Sequence, residues 1–405
     1  MHFDVIIIGA GAAGMMCAAQ AGARGRRVLL VDHGSQVGER IRISGGGRCN
    51  FTNRNVGAEN YLSQNPHFCR SALAQFSQHH FIAMVERAGI AYHEREHGQL
   101  FCNDSAGQII DMLQAACDAA GVQWAMPCSV QRIEAIAGDP SGRRYTVATD
   151  QGSFDCQSLV VATGGLAIAK LGASPFGYRL AEQFGIPVVS PKPALVPLAL
   201  APEVLAPLTP LAGSTLDATA GFDGAQFREN VLITHRGLSG PAILQVSSYW
   251  QMQEYRGSKK QPVEIDLLPG VDAAAWLAEH RQSRAHLPKL LAEHLPRRFA
   301  HEWCALQGGE KLLARPLAEL SRKDVEFVAQ ALNGWCLMPS GTLGFAKAEV
   351  TLGGVSTAAL SSRTMEAKDN PGLFFVGEVV DVTGWLGGYN LQWAWSSGWV
   401  AGQFA

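Results

Sequence analysis

The sequence predicts an α/β fold in which a parallel sheet is opened, interrupted by an insertion and then completed. Three observations predict it. The first residues read as strand, glycine turn, helix and strand in unbroken order; the texture changes near Pro187; and a buried-strand pattern returns in the tail, at Pro371-Gly372-Leu373-Phe374-Phe375-Val376-Gly377-Glu378.

The opening run Asp4-Val5-Ile6-Ile7-Ile8 is a short apolar strand pattern. It ends in Gly9-x-Gly11-x-x-Gly14 and continues into Met15-Met16-Cys17-Ala18-Ala19. A buried parallel strand that turns at once into a helix has this form. Gly9 permits the tight turn, Gly11 leaves the backbone open to a pyrophosphate, and Gly14 lets helix and strand pack closely. The helix start, with Ala13 in its first turn, adds unpaired N–H groups and the positive end of the dipole. Gly25 ends the helix and Val28-Leu29-Leu30-Val31 forms the second strand. Asp32 closes that strand about 20 residues past the glycines, where an acid holds a ribose hydroxyl. An acid there favours free ribose hydroxyls, hence FAD or NAD over NADP.

A glycine-rich loop follows, from Ser44 through Gly45, Gly46, Gly47, Arg48, Cys49 and Asn50 to Asn53. Helical patterns occupy 68–88 and 105–120, the second with Asp104 or Ser105 as N-cap. Strand patterns lie at 130–136, beginning with Val130, and at 145–149, and the turn Asp139-Pro140-Ser141-Gly142 separates them. Leu159-Val160-Val161-Ala162-Thr163-Gly164-Gly165 is another buried strand ending in a glycine turn. Beyond Pro187, Pro191, Pro193, Pro197, Pro207 and Pro210 break any long helix and mark a crossover into short strands. Strand patterns at 231–234 and 263–267 fit a small β domain, and 272–335 is helical throughout. Strand character returns near Glu349, and a last helix begins near Tyr389 and runs through Trp393, Trp395 and Trp399, three indoles read as packing.

With 405 residues, two or three domains are expected. A composition of 47% apolar residues excludes disorder, and a net charge of −2 supplies no global field for a polyanion, so RNA would need a local basic patch. Met1 and His2 lead directly into the first strand, no apolar run has the length of a bilayer span, and the nine cysteines form no Cys-x-x-Cys pair. A cytoplasmic protein with reduced thiols, no structural metal and no membrane partner is the expectation.

Gly9-x-Gly11-x-x-Gly14, the Ser44–Asn53 loop, the Ala162–Gly165 turn, Thr234-His235-Arg236-Gly237-Leu238-Ser239-Gly240-Pro241 and Gly377-Glu378-x-x-Asp381-x-x-Gly384 occur together and in order. In this the chain resembles the HI0933-like (YhiN-type) flavoprotein family, a group of bacterial FAD-dependent oxidoreductases, over essentially its whole length. The resemblance implies a Rossmann-like FAD domain of the two-dinucleotide-binding type, at 1–190 and 346–405. The insert at 191–345 would combine a β-barrel-like part (191–271 and 336–345) with a helical part (272–335). Two departures stand out. Arg40, with Arg42 nearby, replaces a lysine before the glycine loop, and Gly98-Gln99-Leu100-Phe101-Cys102 replaces Gly-Arg-x-Phe-Pro.

An extended flavin needs contacts beyond the first glycine turn. Gly377 and Glu378 would close on the pyrophosphate and Asp381 would bind the ribityl or phosphate end. Gly388, Tyr389, Asn390 and Leu391 open a helix whose N–H groups face the N1–C2=O edge of the ring, where charge accumulates on reduction. The glycine loop from Gly45 to Asn50, Val130, and the turn at Thr163, Gly164 and Gly165 complete the expected contacts.

For the chemistry, Cys49 is a candidate proton donor, with Arg48 beside it favouring thiolate, and packing is the alternative. His235 is a candidate acid, base or substrate anchor, or a structural residue. Arg281, Arg284, Lys289, Arg297 and Arg298 form a stripe able to grip phosphates, or a solvated helix face. No second nicotinamide-type glycine motif follows a strand in the insert, so NAD(P)H as donor would dock over the flavin, in turn with the acceptor. The resemblance implies reduction of uracil in ribosomal RNA to dihydrouridine. Oxidation or reduction of a small metabolite, and a non-catalytic flavin-bearing RNA- or protein-binding role, are the alternatives.

Overall fold

The computed structural model describes residues 1–257 and 259–405. Contacts divide the chain into two compact units, Met1–Lys192 with Val350–Ala405, and Pro193–Glu349.

In the first unit the strands Gln123–Ala125, Val28–Val31, His2–Ile8 and Gly152–Val161 lie side by side in that order, all parallel. Ile7 pairs with Leu30 on one side and with Val160 on the other. Every residue of Val28–Val31 is buried, as expected of a parallel strand covered on both faces. The long strand Gly152–Val161 changes partners along its length. Its first half pairs antiparallel with Tyr145–Thr149, which carries Val130–Ala135 at its far edge, and its last residues pair parallel with Leu373–Phe375. The tail therefore re-enters the sheet that the first residues opened.

Two helices tie the ends of the chain together. Ala12–Ala23 packs along Tyr389–Phe404, and the contact is made where the closing helix has no side chain. A Cβ at Gly398 would sit 2.3 Å from the Ala13 carbonyl oxygen, and one at Gly402 would sit 2.6 Å from Gln20 Cβ. Arg24 adds hydrogen bonds to the Gly402 and Ala405 carbonyls (2.9 and 3.2 Å). The tryptophans of the closing helix are packing residues: Trp395 stacks on Phe81 at 4.4 Å, and the Trp393 indole N–H donates to the Gly377 carbonyl (3.0 Å).

Two segments depart from the sequence reading. The pattern at 68–88 is two helices, Cys69–Gln75 and Gln78–Arg87, broken at Phe76 and restarted by Ser77 as N-cap. The glycine loop ends sooner than read: Asn50–Asn53 is a strand, paired with Gln99–Cys102, which in turn pairs with Tyr92–Glu94. Four residues without alternation carry little strand signal on their own.

In the second unit seven strands pair antiparallel in the order Trp335–Leu337, Val263–Asp266, Thr215–Phe222, Ala225–Thr234, Gly237–Ser239, Leu198–Leu200, Pro339–Thr342. The two end strands are separated in the chain by Met338 alone, so the sheet must curl round on itself, which makes it barrel-like. The helix Pro241–Tyr255 packs on its two longest strands through residues including Ile243, Val246 and Trp250. The helices Ala273–Glu279, Leu287–Leu291, Arg297–Gly308, Glu310–Ala314 and Arg322–Asn333 follow. The proline-rich approach contains a short helix, Pro202–Leu208, where the sequence pointed to strands; Pro202 at its first position needs no donor there. Among the described residues no helix is long and apolar enough to cross a membrane.

Adding one methyl at the helix crossing overpacks backbone that cannot retreat. Gly398→Ala is expected to lower unfolding free energy by about 2 kcal/mol in denaturant titration. An unchanged midpoint would show that the crossing tolerates a side chain.

Candidate functional site

Each glycine of the first motif has a separate steric reason. Gly9 has φ +113°, and a Cβ there would lie 2.4 Å from the Ala162 carbonyl oxygen on the neighbouring strand. A Cβ on Gly14 would lie 1.8 Å from the Gly9 carbonyl oxygen, so helix and strand touch backbone to backbone. Gly11 is the opposite case: nothing lies within 4 Å of where its Cβ would be. It caps the helix Ala12–Ala23 without a side-chain hydrogen bond, and the first turn carries no acidic residue. The N–H groups there face open space at the positive end of the dipole, which fits a pyrophosphate.

Asp32 braces this turn. Its Oδ2 accepts from the Ala10 N–H and its Oδ1 from the Gly34 N–H, both at 2.7 Å. His33 Nδ1 also lies 3.4 Å from Oδ1, but Oδ2 keeps a second lone pair and the side chain is 20% exposed, so a ribose hydroxyl can still donate to it.

The second glycine turn meets the first. A Cβ on Gly377 would lie 2.9 Å from Ala13 Cβ, which brings the tail motif onto the opening turn of the first helix. The Gly377 N–H donates to Ser397 Oγ (3.0 Å). Thr163 precedes Gly164, and its Oγ1 is sealed from solvent against Gly177, with no hydrogen-bond partner. Around Gly164 there is open space. Gly165 is confined instead, its absent Cβ position lying 2.4 Å from Thr351 Oγ1 and 2.6 Å from Glu378 Oε1.

An ionic network unites these turns. The Arg40 guanidinium donates to Glu378 Oε2 and to the carbonyls of Gly165 and Ala167. Glu378 Oε1 accepts from the Thr351 N–H (2.9 Å), and Thr351 Oγ1 accepts from the Leu166 and Ala167 N–H groups (2.8 and 3.2 Å). Sequence reasoning missed Thr351 and singled out Arg40 only as a departure from the family, because the partners of Arg40 lie more than a hundred positions away in the chain. The Glu378 carboxylate, expected on the cofactor, is engaged by Arg40 and Thr351.

Several other expected contacts are structural. Asp381 is buried, 1% exposed, and its Oδ2 accepts from the Gln64 N–H (2.9 Å) and the Ser63 hydroxyl (3.3 Å). Burial pushes this carboxyl up from 3.8 to about 6, against the pull of those two hydrogen bonds. It holds the chain at Ser63–Gln64 and does not present itself to a ligand. The Asn390 amide closes the preceding loop, accepting from the Gly384 N–H (2.8 Å) and donating to the Gly384 and Trp385 carbonyls. Tyr389 is buried edge-on to Tyr61 and Trp385, which removes it as a stacking platform. Leu391, half-buried, follows in the first turn, so this helix start contributes main-chain N–H groups. Asn50 braces the same start, its amide accepting from the Gly388 N–H (3.2 Å). Val130 is half-buried at a register shift opposite Thr149.

Cys49 is corrected as a donor. It is fully buried with φ +50°, so a molecule on the loop surface does not touch its Sγ. Burial pushes the thiol up to about 12, despite a hydrogen bond from Ser44, and exposed Arg48 does not make it a thiolate. In the second unit His235 is exposed on the turn between Ala225–Thr234 and Gly237–Ser239. Of the basic stripe, Arg284, Lys289, Arg297 and Arg298 are exposed. Arg281 leaves the stripe, since its guanidinium is committed to the Leu317 and Leu320 carbonyls. Among the described residues no group of three His, Cys, Asp or Glu side chains is placed to hold a metal.

The model of the HI0933-like protein Rossmann domain matches residues 3–404. The chain is 50% identical over 405 residues to the ribosomal RNA dihydrouridine synthase of Escherichia coli, covering 99% of this chain and 98% of that one. It is 45% identical over 399 residues to the protein of the same name from Haemophilus influenzae, covering 98% and 96%. Among solved structures, the 3-ketosteroid delta1-dehydrogenase of Sterolibacterium denitrificans shares the fold, with TM-score 0.51, 13% identity and 99% of each chain covered. The chain belongs to the HI0933-like family of FAD-dependent oxidoreductases.

Because Gly11 stands in open space, Gly11→Trp is expected to fold with the wild-type melting temperature of the cofactor-free protein yet to purify colourless. Normal flavin absorbance in that variant would place the pyrophosphate elsewhere. Asp381 supplies a pH test. Its folded pKa lies above the unfolded value, so the native state binds the extra proton between about pH 4 and 6, and stability falls as pH rises through that window. Asp381→Asn is expected to flatten this part of the stability–pH curve, and an unaltered slope would contradict the burial argument.

Proposed function

We propose that this HI0933-like protein reduces a uracil base of ribosomal RNA to dihydrouridine, with FAD as resident cofactor and NAD(P)H as transient donor. The observation that carries the reading is the end-to-end similarity to two relatives that bear that name, in a chain whose glycine cradle has room for a dinucleotide. Bound there, reduced FAD supplies a hydride for C6 of the pyrimidine, C5 takes a proton, and NAD(P)H restores the two electrons.

The residues of this chain bind, orient and grip. The N–H groups after Gly11 hold the pyrophosphate, and Asp32 takes a ribose hydroxyl. Arg40 and Glu378 fix the second turn before any ligand arrives, so its orientation costs little at binding. The base must leave its stack to be reduced. Cys49, sealed in the core, is not placed to give the proton. Arg284, Lys289, Arg297 and Arg298 supply the local positive charge that the whole chain lacks. Arg297 and Arg298 stand in the first turn of a helix, where the dipole disfavours cations, so that placement is better explained by a phosphate partner than by helix stability.

Mass spectrometry of ribosomal RNA from cells with and without the gene tests the reading. Loss of one dihydrouridine is expected on deletion, restored by wild type and not by Gly11→Trp. Identical modification in both strains would contradict it.

A further inference from the structure

We infer that the first unit carries its own docking surface for single-stranded RNA, formed by Arg42, Ile43, Arg48 and Arg95 around the glycine loop. This rests on the reading that the substrate is ribosomal RNA.

The loop is held in place. The Cys102 N–H donates to the Arg48 carbonyl (3.0 Å) and the Ala106 N–H to the Gly47 carbonyl (2.7 Å). With Cys49 turned into the core, Arg48 is left exposed at the loop's end. Phe101 joins the loop to Arg95. Its ring lies 2.8 Å from where a Gly45 Cβ would stand, and the Arg95 guanidinium sits 4.3 Å from the ring centroid. Nothing lies within 4 Å of Cβ positions on Gly46 and Gly47, so the face between the arginines is open.

The charges on this face are available. Arg54 already holds Glu94 (2.5 Å), Glu39 makes only a loose approach to Arg42 (3.9 Å), and Glu96 stands exposed next to Arg95. Among the described residues Arg48 and Arg95 have no carboxylate at ion-pair distance, and the Nε of Arg95 donates to His93 (3.3 Å). Ile43, next to Arg42 in the chain, is 44% exposed, an apolar side chain that the fold does not bury. Guanidinium groups with free donors match phosphate oxygens, and an exposed apolar side chain offers contact to an unstacked base.

The face also has the right neighbour. The strand leaving the loop supports the turn that starts the closing helix, with Asn53 Nδ2 donating to the Gly387 carbonyl (3.0 Å) and Asn50 accepting from the Gly388 N–H. A strand of RNA held on the arginines is thereby set next to the helix start assigned to the flavin.

The test measures binding of the FAD-loaded protein to unmodified transcripts of the two large ribosomal RNAs across a salt series. Arg42→Ala with Arg95→Ala is expected to keep its flavin absorbance while the slope of log K against log salt falls by roughly 1.5, two phosphate contacts at about 0.7–0.9 each. Ile43→Ala is expected to weaken binding several-fold at an unchanged slope. Wild-type affinity and slope in the double variant would overturn the surface while leaving the RNA reading intact, and Arg297→Ala with Arg298→Ala then serves as the positive control. Loss of flavin, or a rise only in the KM for NADPH, would overturn it too, by assigning these arginines to a dinucleotide. Wild-type protein that binds neither transcript would remove the RNA reading itself, and the docking surface with it.

Discussion

The cofactor-binding unit depends on backbone packed directly against backbone around residues 13 and 14. From one side the Gly9 carbonyl occupies the space where Gly14 would carry a side chain, and from the other the Ala13 carbonyl occupies that of Gly398. Gly377 presses on Ala13 Cβ. The first turn of the opening helix is thus gripped by the start and the end of the chain together, and packing contacts of this kind fix position to a fraction of an ångström. Its N–H groups owe their aim to that grip. The same turn keeps Gly11 open, so the most crowded stretch of the unit surrounds a point with room for a phosphate.

Charge does at the second turn what packing does at the first. Arg40 reaches the Gly165 and Ala167 carbonyls and the Glu378 carboxylate at once, and Glu378 passes the constraint to Thr351. A guanidinium has enough directed donors for three acceptors, which a lysine ammonium cannot match in the same plane. Partial burial of the pair, with side chains 28% and 17% exposed, shields it from salt. The carboxylates near the site therefore divide by task. Glu378 is spent on Arg40, Asp381 on the chain at Ser63 and Gln64, and Asp32 alone braces a turn while keeping room for a ligand hydroxyl.

The opening strand, turn, helix and strand were legible because their signals are local: an apolar run, glycines at fixed spacing, an acid at the strand end. The closing strand at Leu373–Phe375 and the helix from Tyr389 were legible for the same reason. What could not be read was direction. Asp381, Asn390 and Tyr389 sit in a motif that points to a cofactor, yet their side chains turn inward to hold loops, and residue type alone does not say which way a side chain faces. Of the two readings open for Cys49, burial favours packing: Arg48 is its neighbour in sequence but stands exposed while the thiol lies in the core. Thr351 escaped notice, and Arg40 was seen only as a departure from the family, because their roles arise when segments far apart in the chain come together. The short strand Asn50–Asn53 was hidden by the glycines before it, and Arg281 looked like its exposed neighbours until its carbonyl partners at Leu317 and Leu320 were seen.

The most direct test of the account is a single-turnover reaction without a nicotinamide donor. The FAD-loaded protein is fully reduced under anaerobic conditions and mixed with unmodified ribosomal RNA, and flavin absorbance and nucleoside composition are followed together. The account predicts that flavin is reoxidised as dihydrouridine forms, one for one, and that RNA already carrying the modification leaves it reduced. Flavin that stays reduced with ribosomal RNA, yet is reoxidised by a small enone, would contradict it.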